Sequence, residues 1–140
     1  MAGFVRFQSA LRSPSGRFPG VFGLANGLAR EAALSVDDAA WWRTANDRMT
    51  AAYVDPSTVD PLCYDPDLHP GARAWFKDDA HALIAMTREY LALLDRYGVA
   101  WVELRTADPG EVVYEDDVQA VAVPRTVTAS AQPGPEGWTP

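Results

Sequence analysis

The densest set of chemistry-bearing side chains in this chain is a run of three acids, Glu115, Asp116 and Asp117. They lie within VAWVELRT-ADPG-EVVYEDDVQAVAVP, the longest β-like pattern in the sequence. It reads as two strands joined by a turn, with Pro109 and Gly110 placed as in a type II turn. Side chains alternate faces along a strand. Tyr114, Asp116 and Val118 therefore share one face, and Glu115, Asp117 and Gln119 the other. Both faces are apolar from Val118 onward, which predicts a covered strand. Unless the strand bulges or lies at an edge, at least one carboxylate points inward. A buried carboxylate must be paired, hydrogen-bonded or protonated, and such groups gather at functional sites. The candidate catalytic set is thus Glu115, Asp117 and Arg6, with Arg6 on an opening strand as their counter-ion.

Fewer roles are open to the other reactive side chains. His69 and His81 are the only histidines and Cys63 the only cysteine. No conventional zinc set can be assembled from them, and the acids near residue 60 lack calcium-loop spacing. No metal and no cofactor is expected. Cys63 reads as a small buried hydrophobe. Trp41, Trp42, Trp75, Tyr114 and Lys77 are the candidate contacts for a substrate or partner, because tryptophan is enriched at grooves and interfaces.

The elements that must position these groups follow from pattern. Residues Phe4 to Ser9 predict a strand with Phe4, Arg6 and Gln8 on one face and Val5 and Phe7 on the other. A turn-rich loop, Ser13 to Gly20, leads into a helical pattern beginning at Val21. Gly23 and Gly27 on that helix suggest close approach of another backbone, or a glycine-bearing loop that offers N–H groups to an anion. Ser35 with Asp38 resembles a capping box and opens an amphipathic helix running to about Tyr53. Three Asp-Pro steps, at Asp55, Asp60 and Asp65, predict a wrapping loop of capped turns anchored by Val59, Leu62, Tyr64 and Leu68. Ala72 to Tyr97 predicts the longest helix, with a break allowed at Asp78 or Asp79 and Gly98 as its C-cap. The fold expected is α+β, a small antiparallel sheet (N-terminal strand plus C-terminal hairpin) covered by about three helices. It forms a single domain over 1–125, followed by a Pro/Gly-rich flexible tail, 126–140, whose Trp138 could dock on the domain.

At 140 residues the chain can bury a core without metal or disulfide help. Its net charge of −7 and scattered arginines disfavour nucleic-acid binding. A lone cysteine suits a reducing compartment. No apolar run reaches membrane-span length, and the first residues do not read as a signal peptide. A cytoplasmic protein is expected, with an arginine-rich, lysine-poor composition that fits a GC-rich bacterial genome. An arginine on a first strand with a glutamate on a late strand, Arg6 and Glu115, resembles the small ADP-ribosyltransferases. The resemblance implies an arginine gripping a dinucleotide and a glutamate orienting its ribose; the family's Ser-Thr-Ser strand is missing here. Two functions follow as expectations. One is a binding or regulatory module that self-associates through its tryptophans. The other is a small transferase or hydrolase acting on a polar or anionic substrate through an arginine and acid cleft.

Overall fold

The computed structural model describes residues 3–14 and 16–125; the tail expected over 126–140, with Trp138, lies outside them. Nine elements follow one another: β1 (Phe4–Ser9), α1 (Val21–Arg30), α2 (Val36–Ala52), α3 (Pro56–Val59), β2 (Arg73–Lys77), α4 (His81–Arg96), β3 (Trp101–Thr106), β4 (Glu111–Glu115) and β5 (Gln119–Val123). The strands make one antiparallel sheet in the order β3-β1-β2-β5-β4. The fold is α+β, as the sequence pattern implies.

Two expectations are corrected. The segment 73–77 is the central strand rather than the start of the long helix. Its neighbours Trp75 and Phe76 are both buried, on opposite faces, so the face that carries Arg73 and Lys77 is interrupted by a buried tryptophan and the period of two is masked. The stretch after residue 99 is three strands and not a hairpin. β3 and β4 do not pair; they are the two opposite edges of the sheet.

The link between those edges shapes the molecule. Thr106 ends β3 level with Phe4 and Lys77, whereas Glu111 opens β4 level with Val123, at the far end. On a flat sheet these corners would be about 25 Å apart, given ~4.8 Å between strands and ~3.3 Å per residue. Five Cα–Cα steps of ~3.8 Å reach at most about 19 Å. The sheet must therefore roll its edges toward each other. The link then runs close under the end of β5, and Gly110, at φ +122°, leaves no space for a side chain against the Val123 carbonyl.

The helices cover one face. Val5 and Phe7 of β1 and Phe76 of β2 pack with Val21 and Ala25 of α1, Ala45 and Met49 of α2, and Leu83, Tyr90, Leu91 and Leu94 of α4. Ser35 caps α2 by accepting from Asp38 N, as its spacing implies, and Gly98 ends α4 at φ +69°. The loop 55–71 is built on the expected turns: Asp55, Asp60 and Asp65 each accept from a backbone N–H two residues on. Its anchors differ from expectation. Cys63 and Pro56 are buried, while Val59, Leu62, Tyr64 and Leu68 are exposed. Nor does a backbone approach the helical glycines; Gly23 faces a Pro19 carbon and Gly27 the Arg30 side chain.

Gly110→Ala should cost about 2 kcal/mol or more, since it combines a strained φ with a backbone collision. Gly98→Ala, with open space around it, should cost about 1 kcal/mol. Urea unfolding of the two variants checks the contrast; equal losses would remove the argument for a tight link.

Candidate functional site

The uncovered face of the sheet carries the polar alternates. Arg6 and Gln8 of β1 lie beside Arg73 and Trp75 of β2, and β5 sets Ala122 opposite Arg73 and Ala120 opposite Trp75. Two alanines leave room for two large side chains, which is why this face can hold guanidinium groups at all. The loop 10–20 and the loop 60–72 rise around them. Together they enclose a cleft of about 670 Å³ whose lining includes Arg6, Arg12, Arg17, Arg73, Arg125, His69 and Tyr64. Five of the chain's 12 basic residues line it, and among the described residues no acid does.

Arg6 is the floor. Its Nε donates to Gln8 Oε1 at 2.8 Å, one terminal nitrogen to the Ala74 carbonyl at 3.0 Å and the other to the Phe18 carbonyl at 3.1 Å. Those acceptors are neutral. Arg73 donates to the same Gln8 oxygen at 3.3 Å and lies over the Trp75 ring. Among the described residues its buried Nε has no hydrogen-bond partner. Burial first, and the neighbouring Arg73 second, lower the Arg6 pKa to about 10, against a small upward pull from Tyr64. Burial also lowers the pKa of Arg73. Tyr64, 40% exposed as a residue but partly desolvated in the cleft wall, is pushed up to about 12 and stays a neutral phenol at physiological pH. Two guanidiniums thus share one amide oxygen, and among the described residues neither is paired with a carboxylate.

The outer wall adds more positive charge. Arg12 donates to the Gly16 carbonyl and stacks on the Phe18 ring, 4.8 Å from its centre. Arg17 has no carboxylate partner among the described residues. Arg125 is paired with Asp108 at 2.9 Å. A site of this kind holds an anion: guanidinium N–H groups match phosphate and carboxylate oxygens in pairs.

The acids occupy another place. β4 is an edge strand with an irregular register between Val112 and Tyr114, and the acids fall at its turn into β5. Glu115 pairs with Lys77 at 2.8 Å, and Asp117 is exposed. Asp116 is the turn's cap, accepting from Val118 N, Gln119 N, Gln119 Nε2 and the Tyr114 hydroxyl. The structure therefore does not bring Glu115 and Asp117 to Arg6; Lys77 is their cation and Arg73 is Arg6's neighbour. The tryptophans are engaged internally. Trp75 is 5% exposed, Trp41 packs edge-on against Tyr90, and Trp42 donates to Asn26. The residues missed by sequence reading are Arg12, Arg17, Arg73, Arg125, His69 and Tyr64. Only the turn-rich loop before α1, suspected of holding an anion, signalled any of them.

Comparison with protein-family models, with curated proteins and with solved structures finds no match.

Desolvation raises the Asp116 pKa, but the four hydrogen bonds outweigh it and leave the carboxyl below its ordinary 3.8. A depressed carboxyl stabilises the fold above its unfolded pKa and loses that contribution as pH falls through the folded value. The protein should lose stability below about pH 4. Asp116→Ala should be less stable at pH 7 by about 1–3 kcal/mol and flatter in this acid range, as read by chemical denaturation at several pH values. An unchanged acid slope would show that Asp116 is not its source.

Proposed function

We propose that this protein is a binding module for an anionic ligand, held in the arginine-lined cleft between the sheet and the loops 10–20 and 60–72. The observation that carries the reading is the uncompensated pair Arg6 and Arg73. Buried charges without a counter-ion are costly, and a −7 chain has acids to spare. With no acid of the described residues on this lining, the counter-ion is left to be supplied from outside. Arg6 is fixed by three hydrogen bonds before any ligand arrives, so little ordering opposes binding.

The reading follows the sequence-level expectation of a binding or regulatory module and moves its contact from the tryptophans to the arginines. It departs from the arginine-and-acid enzyme, because Glu115 is held by Lys77. Self-association through Trp75 has little to support it, that side chain being buried.

Inorganic phosphate at about ten times its dissociation constant should stabilise the protein by about 1.4 kcal/mol, a rise of a few degrees in Tm. Arg73→Met should be as stable as the parent or more so without phosphate, because a like charge is removed, and should lose the phosphate response. Differential scanning fluorimetry at fixed ionic strength checks both. A parent Tm indifferent to phosphate would refute the proposal.

A further inference from the structure

We infer that the ligand carries two phosphoryl groups, one seated on Arg6 and Arg73 and the other on Arg12 and Arg17. The inference rests on the anion-binding reading above and specifies its ligand.

The cleft has two tiers of positive charge with different structural character. The inner tier sits on the rigid sheet: Arg6, Arg73 and the bridging Gln8, with the buried Nε of Arg73 unpartnered among the described residues. The outer tier sits on the loop before α1, and of its two arginines Arg12 is also held in place. Arg12 is tied to Gly16 and stacked on Phe18, and the Phe18 carbonyl is the acceptor of Arg6. One residue thus fixes both tiers relative to each other. Arg125 is excluded from the count because Asp108 already matches it.

Charge decides the stoichiometry. The four arginines of the two tiers present about four positive charges, none neutralised by a carboxylate of the described residues. A phosphoryl monoester brings about −1.5 to −2 at neutral pH. One such group satisfies the inner tier and leaves the outer one unmatched; two match all four guanidiniums. Volume agrees, since about 670 Å³ is within the ordinary range for a small-molecule site.

A long polyanion fits less well. Setting the five cleft arginines aside takes the net charge from −7 to −12. A nucleic acid leaving the cleft would cross a surface that repels it. A small molecule confined to the cleft would not.

Isothermal titration with inorganic phosphate, pyrophosphate and fructose 1,6-bisphosphate tests this. At least one of the two-phosphoryl compounds should bind about tenfold or more tightly than phosphate. Tighter pyrophosphate indicates adjoining groups and tighter bisphosphate indicates spaced ones; either supports the inference. The Arg12→Ala/Arg17→Ala double variant changes only exposed side chains of a surface loop and should reduce the preferred compound to parity with phosphate. Equal affinity for all three in the parent, or an advantage that survives in the double variant, overturns the two-group ligand while the anion site stands. If none of the three binds, the anion-binding reading fails and takes this inference with it.

Discussion

The Arg6 guanidinium is the joint on which the open side of this molecule depends. From the second position of a β-strand face it reaches the neighbouring strand through the Ala74 carbonyl and the β1–α1 loop through the Phe18 carbonyl. It also fixes Gln8, which in turn receives Arg73. Removing it would untie a strand, a loop and a second arginine together. Among the described residues it receives no carboxylate. A salt bridge in that position would be the simplest way to hold a buried arginine; here carbonyl and amide oxygens orient the cation and leave its charge unmatched among the described residues.

The rolled sheet makes this arrangement feasible. Joining the two edge strands by residues 107–110 draws the sheet corners together, and it brings Asp108 to Arg125 at the cleft margin. The helices take the face bearing Val5, Phe7 and Phe76, so the other face is left to loops. Loops supply polar groups and backbone carbonyls more readily than a helix flank does. The division of charge follows the same geometry, with acids used as turn caps at Asp55, Asp60, Asp65 and Asp116 and five arginines brought to the cleft.

The parts of this structure that were legible in the sequence are those written locally. The Ser35 cap, the helix ending at Gly98, the Asp-Pro turns and the face assignment of β1 all depend on residues a few positions apart. The strand 73–77 was hidden because Trp75 and Phe76 are both buried, and their adjacency fits a helix as well as a strand covered on two sides. The break at Asp78 and Asp79, allowed within a helix, is the turn from β2 into α4. The acids after Tyr114 looked like a conflict only while residues 111–123 counted as one strand; the irregular register and the turn between β4 and β5 resolve it. The cleft had no local signature. Its arginines stand at positions 6, 12, 17, 73 and 125, and they meet only because β1 and β2 pair across more than 60 residues.

The most direct test observes the guanidinium groups themselves. In a ¹⁵N NMR titration of the arginine Nε–H resonances with inorganic phosphate, those of Arg73 and Arg6 should shift and saturate together. Arg88 and Arg105, which face Glu103 on the other side of the sheet, should stay in place. Shifts that are absent, or that spread evenly over all the arginines without saturating, would contradict a built anion site between β1 and β2.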